Sequence, residues 1–281
     1  AISDDGKPVR SSSLMKKALQ YASMFDITVI SHCEDPELAD EGVMNEGYWS
    51  TVLGLKGISS AAEAIMVSRD LILAEYTKTP VHIAHVSTEL SVDLIRNAKR
   101  RGVNVTAETC PHYFVLTEEA CDNFNTLAKV NPPLRTRRDV EAVIEGLKDG
   151  TIDIIATDHA PHHADEKNVE FNLAANGMVG FETALPLAVT YLVKPGILTM
   201  EELVKKMCLN PSRILGLNKG TLEVGKSADI TIVDISEEYI VDVQKFQSKS
   251  KNSPFDGFKL SGAVYYTIVE GNVVVREKVL L

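Results

Sequence analysis

Four segments repeat one pattern, a short apolar, β-branched run that ends in polar, reactive side chains. They are residues 27–35, 81–88, 103–112 and 152–162. Continuous apolar runs of this length suit strands buried on both faces of a parallel sheet. Between them lie amphipathic stretches at 61–76, 91–101 and 138–147, and residues 15–25 read as a helix ahead of the first complete strand. Strand–helix repetition predicts a parallel α/β sheet with right-handed crossovers. The polar residues fall at the C-terminal end of each strand. Active sites lie there in both open α/β sheets and (β/α)8 barrels, so the chemistry is expected to converge on one rim.

After about Pro195 the pattern changes. Residues 201–215 read as a helix with Asn210-Pro211 near its end, and from Gly220 the chain turns to short strands at 228–234, 239–242, 263–270 and 272–276. Glu270-Gly271-Asn272 is a tight-hairpin signal. The coarse division is therefore 1–217 for the α/β part and 218–281 for a small β subdomain, which is too small to be stable alone and is expected to pack on the larger part.

Composition narrows the function. Lysine and arginine number 29 against 39 aspartates and glutamates, a formal net charge of −10. Nucleic-acid binding needs clustered cations, and the short run Lys99-Arg100-Arg101 reads as a solvated helix end. No run of about 18 apolar residues marks a membrane span, and the first residues lack the basic start and apolar core of a signal peptide. The four cysteines, Cys33, Cys110, Cys121 and Cys208, have no CxxC spacing and are too sparse for a disulfide framework. A cytoplasmic location is the default. Cys33 could ligate metal beside His32, but a core thiol is the preferred reading.

The reactive residues form one constellation. His32, His85 and Asp158 each end a different strand, and Asp4-Asp5 precede the first helix. Neutral imidazoles with carboxylates suit Zn²⁺ or a similar divalent ion. Asp158 sits in the densest motif, Thr157-Asp158-His159-Ala160-Pro161-His162. A carboxylate there could touch a metal and take a proton from an acidified water; it could equally cap a helix N-terminus. The loop Val130-Asn131-Pro132-Pro133-Leu134-Arg135 is stiffened by two prolines. It suits an amide-recognising Asn131 and an anion-recognising Arg135, or serves as a rigid connector. Asn176-Gly177-Met178-Val179-Gly180-Phe181 could offer backbone N–H groups to a ligand. His82 is expected to point away from the site, His112 to support the rim, and His163 to face solvent.

These motifs together resemble the amidohydrolase superfamily and, within it, class I dihydroorotase. The resemblance rests on Ser3-Asp4-Asp5-Gly6, Ser31-His32-Cys33-Glu34-Asp35, Ile83-Ala84-His85-Val86-Ser87-Thr88, Glu108-Thr109-Cys110-Pro111-His112-Tyr113 and the three loops just described. It continues through Asn210-Pro211, Gly220-Thr221-Leu222-Glu223-Val224-Gly225, Ala228-Asp229 and Asn252-Ser253-Pro254-Phe255. It implies a (β/α)8 TIM-barrel fold, incomplete at the N-terminus and entered at the end of the fourth strand, with a small C-terminal β-sandwich subdomain. It implies one or two Zn²⁺ ions, other divalent metals being admissible, held by Asp5, His32, His85 and Asp158. Asp158 would be the catalytic proton carrier, and Asn131, His162 and Gly177 would bind substrate. The implied reaction is reversible hydrolysis of dihydroorotate to N-carbamoyl-L-aspartate in de novo pyrimidine biosynthesis.

Family members also carry a barrel strand with a His-x-His pair and a nearby Arg, ahead of the point where this sequence starts. A barrel lacking strands exposes edges and core, so these 281 residues alone are expected not to make a stable, active monomer. Two other readings stay open. One is a dihydropyrimidinase, hydantoinase or allantoinase, which usually place a carboxylated Lys where Asp5 falls. The other is a non-catalytic scaffold for aspartate transcarbamoylase. A homodimer is the expected assembly.

Overall fold

The computed structural model describes residues 1–281. Its strands are β1 (Ile2–Ser3), β2 (Val29–Ser31), β3 (Met44–Asn45), β4 (Gly57–Ile58), β5 (Val81–Ile83), β6 (Val105–Thr109), β7 (Ile154–Ile155), β8 (Ile230–Ile240), β9 (Lys259–Val269), β10 (Asn272–Arg276) and β11 (Val279–Leu280). Five form one sheet in the order β1-β2-β5-β6-β7, every pair parallel. Spatial order follows chain order, so each crossover advances one strand in the same direction. That is the winding of a (β/α) barrel; a doubly wound sheet reverses its order.

The crossover helices form where the apolar periodicity places them, and side-chain caps set their starts. Ser60–Thr77 begins at Ser59, whose hydroxyl accepts from the Ala61 N–H. Glu89–Arg100 begins at Thr88, and Arg137–Lys148 at Thr136, where Asp139 closes a reciprocal capping box. Such caps contribute about 1 kcal/mol each. Ile83, Ile95, Leu147 and Ile152 are fully buried between sheet and helices; burial of side chains this size stabilises by about 1.5–3 kcal/mol apiece. The strands are shorter than the apolar runs, because each run bends at its polar end into the loops that carry the reactive residues.

The chain divides into two compact units, Ala1–Gly180 with Ser248–Pro254, and Phe181–Gln247 with Phe255–Leu281. The first holds the parallel sheet and a two-stranded sheet of β3 and β4. The second holds helical residues 184–193 and 200–214 and a four-stranded antiparallel sheet ordered β11-β10-β9-β8. The change from helices to strands near 217 thus falls inside the second unit. Its strands make one layer, with helix Ala184–Ala188 packed against β9 where a sandwich would place a second sheet. The hairpin at Glu270-Gly271 is formed, both residues having positive φ as a two-residue β9–β10 turn requires. No helix is long and apolar enough to cross a membrane.

Candidate active site

Asp5, His32 and His85 come together at the C-terminal ends of β1, β2 and β5. Asp4 pins the first of these ends: its carboxylate accepts from the backbone N–H groups of His32 and Val9, both at 2.8 Å. That leaves Asp5 to point at the histidines. Its Oδ1 lies 3.4 Å from His32 Nδ1 and 3.2 Å from His85 Nε2, and the two ring nitrogens are 2.8 Å apart. Donor atoms around a tetrahedral ion with bonds near 2 Å sit about 3.3 Å from one another. Two imidazoles and a carboxylate at this spacing therefore fit a divalent metal ion. His85 holds its place in left-handed backbone (φ 34°), a sparsely populated region for a non-glycine residue.

The electrostatics agree with a cation site. Hydrogen bonds from His32 and His85 hold the Asp5 carboxyl well below its ordinary range. Burial opposes charge on His85, but its bond to Asp5 and the negative field of Asp158, Asp5 and Glu108 carry its pKa upward. Asp5, Asp158 and Glu108 thus set a negative field at these strand ends, which favours a cation there.

Asp158 belongs to a second group with Cys110 and His112 at the ends of β6 and β7, whose potential ligand atoms lie within 4.8 Å of one another. It too occupies left-handed backbone (φ 47°). Burial raises its pKa, and the charges of His85 and Asp5 then act on it in opposite directions. The two groups thus share one electrostatic field. His112 Nε2 stands 4.0 Å from Asp158 Oδ2, is buried without a hydrogen-bond partner, and has its pKa lowered to about 3 by burial and by the charge of His85. Sequence reasoning placed His112 at the rim as support; its nearness to Asp158 was not foreseen. The signal was the Cys110-Pro111-His112 turn, since Pro111 starts the helix Pro111–Val115 directly after β6.

The amide oxygen Oδ1 of Asn131 is buried with no partner in the protein. His162 Nε2 is 2.7 Å from the Asn176 carbonyl, and the His162 backbone N–H donates to Asn252 Oδ1. Gly177 has φ +121°, and a Cβ there would sit 2.5 Å from the Ala160 Cβ and 3.3 Å from His162 Nε2. Only glycine fits this approach. Its N–H, read from sequence as a possible ligand donor, is spent on the Lys129 carbonyl at 2.9 Å. A cavity of about 820 Å³ opens beside His162, lined also by Phe124, Lys167 and Asn252.

Other residues settle plainly. His82 bonds to Thr106 and Glu108. His163 is exposed and Cys33 is a core thiol 2% exposed, its pKa pushed up by burial. Of the two readings open for the Arg135 loop, anion recognition and a rigid connector, the second fits: Arg135 is 2% exposed and occupied by Ser87, Asn45 and the Ile58 carbonyl, with Glu63 at 3.9 Å. A guanidinium buried and bonded in this way braces the first unit and is not free to receive an anion.

A barrel-type parallel sheet with histidine and aspartate donors at its C-terminal strand ends is an arrangement that can hold a divalent metal ion. The amidohydrolase family model matches residues 1–274, and the chain belongs to that family. It is 84% identical over its whole length to the dihydroorotase of Acetivibrio thermocellus and 73% identical to that of Ruminiclostridium cellulolyticum, spanning 66% of each relative. Among solved structures, the L-hydantoinase (dihydropyrimidinase) of Arthrobacter aurescens superposes with a TM-score of 0.87 at 29% identity, over 100% of this chain and 64% of that one. The dihydropyrimidinase of Brevibacillus agri gives 0.86 at 25% identity, over 95% and 60%.

Proposed function

We propose that the protein catalyses reversible hydrolysis of dihydroorotate to N-carbamoyl-L-aspartate in pyrimidine synthesis. The convergence of Asp5, His32 and His85 carries the chemistry. The choice of substrate rests on the 84% identity to a dihydroorotase. Asp5, His32 and His85 hold a divalent ion, zinc in this reading, with Asp158 as a further ligand to it or to a second ion. When bound, such an ion supplies an acidified water and polarises the amide carbonyl.

The chain's own residues do the rest. Asp158 takes a proton from the attacking water and returns it to the ring nitrogen that leaves. Its raised pKa suits a group that must hold a proton between these two events. Asn131 offers its unpartnered buried oxygen to the ring N–H. His162 and the Gly177 loop shape and hold the remainder of the substrate. An anionic substrate meets a chain of net charge −10, so such local contacts must outweigh the overall field. The same reading makes the protein a cytoplasmic homodimer, with aspartate transcarbamoylase as a candidate partner.

The test is a comparison of kcat/KM for dihydroorotate, hydantoin and allantoin with zinc supplied. Dihydroorotate is expected to be the preferred substrate. Equal or faster hydrolysis of hydantoin or allantoin would transfer the assignment to the sister cyclic amidases.

A further inference from the structure

Two lysines in the first compact unit are each only 4% exposed, and both ammonium groups are held by backbone carbonyls. Lys129 Nζ donates to the carbonyls of Phe171 (2.7 Å), Asn172 (3.2 Å) and Ala174 (2.7 Å). Lys167 Nζ donates to Ala175 (2.7 Å) and to the Lys129 carbonyl (3.3 Å). An ammonium has three donors, and Lys129 uses all three on one short stretch of chain. Buried charge without a carboxylate is costly unless every donor is satisfied. Here the cost is offset by carbonyls of residues 171–175 that lie outside helix and strand.

The same stretch leads into the substrate-binding loop of the proposed function. The Asn176 carbonyl bonds to His162 Nε2, and the Gly177 N–H donates to the Lys129 carbonyl at 2.9 Å. Lys129 itself lies two residues before Asn131. Its side chain thus grips the loop that carries Gly177 and contacts His162, while its main chain continues into the loop that carries Asn131. We propose that Lys129 is a positioning residue: its ammonium acts as a fixed cation around which loop 168–177 is wrapped, setting His162 and Gly177 in register with Asn131. Lys167 fastens the far side of the same wrap. This rests on the substrate reading above for what the loop holds, and on the carbonyl cage alone for how it is held.

The experiment is Lys129→Met in the zinc-loaded protein, with steady-state kinetics on dihydroorotate and amide hydrogen exchange across 168–177. Exchange at Ala174, Ala175 and Gly177 is expected to quicken by about tenfold or more, as in a locally opened segment. KM is expected to rise by about tenfold with kcat changed less than about threefold, the pattern of lost binding geometry with the reacting groups intact. Lys129→Arg keeps the charge but fixes its donors in a planar fork; it provides a second folded variant and is expected to fall between the two. A lowered melting temperature with unchanged KM and unchanged loop exchange would reduce Lys129 to a structural residue and overturn the proposal. Failure of the unmodified protein to hydrolyse dihydroorotate would remove the substrate reading only. The exchange measurement would still decide on Lys129, unaltered protection in the variant overturning it.

Discussion

Asp158 combines three properties that rarely coincide in a structural carboxylate. It is held in left-handed backbone, burial raises its pKa, and a neutral His112 stands 4.0 Å from its Oδ2. Asp158→Asn keeps the size and removes the proton acceptor. We expect kcat for dihydroorotate to fall about 10²–10⁴-fold, the usual contribution of a positioned general base, and steady-state kinetics checks it. Asn131→Ala removes a single hydrogen bond to the ring amide. The expected loss in kcat/KM corresponds to about 1–3 kcal/mol, and a smaller effect than on an added hydantoin substrate would tell against the assigned contact. At this scale the sequence spoke through position. His32, His85 and Asp158 were legible because each closes an apolar run. Asp4 and Asp5 stood out only as a pair ahead of the first helix, and the family resemblance was needed to single out Asp5 as a ligand, since β1 is two residues long and gives no periodicity. Lys129 and Lys167 were not legible, because lysine reads as a solvated residue unless the fold supplies acceptors. For Arg135 the sequence left anion recognition and a rigid connector open, because the partners that decide between them, Asn45 and Ser87, are 90 and 48 residues away.

Among elements, the helices were the easiest to foresee. Residues 61–76 became Ser60–Thr77 and 138–147 became Arg137–Lys148, because period and cap agree at both. β8 was harder. Two strands were expected here, 228–234 and 239–242, with a break over 235–238, where β8 runs from Ile230 to Ile240. The structure carries the strand through with a register shift between Asp234 and Glu238. A bulge of this kind reads in sequence as a turn, since Ser236 and Glu237 within it are polar. The loop around Lys167 supplies a prediction of its own. Burial, with the charge of Lys129 beside it, lowers the Lys167 pKa from 10.5 to about 8. A neutral amine retains two N–H donors, which match its two carbonyl acceptors. Between pH 8 and 10.5 the folded state therefore releases a proton that the unfolded chain still binds, and stability attributable to this residue rises with pH across that window. Below pH 8 both states are protonated and the contribution is flat. Urea titrations of the parent and of Lys167→Met should show the parent gaining on the variant from pH 8 to 10. Parallel curves over that range would refute the shift.

For the molecule as a whole, the winding of the sheet was legible and its compact units were not. Chain order and strand order coincide because each crossover advances one strand in the same direction. The units instead follow contacts: residues 248–254 cluster with a segment that ends at Gly180, as when the Val179 N–H donates to the Asn252 carbonyl, and no local pattern announces a pairing over that separation. The metal group is also a property of the folded whole, since Asp5, His32 and His85 are brought together from three strands and separate on unfolding. An ion that binds only the folded state stabilises it by RT ln(1 + [L]/Kd), about 2.7 kcal/mol at a hundredfold excess over Kd. For a chain of this size that corresponds to a rise in melting temperature on the order of 5 °C. Zinc added to chelator-treated protein should produce this shift, and renewed chelation should reverse it. Asp5→Ala and His85→Ala each remove one donor of the group and should abolish most of the shift, whereas His163→Ala, at an exposed residue outside it, should leave it whole. Scanning calorimetry of the four proteins with and without zinc separates the outcomes. An undiminished zinc shift in both donor variants would mean that the ion binds elsewhere, and the strand-end assignment would fail with it.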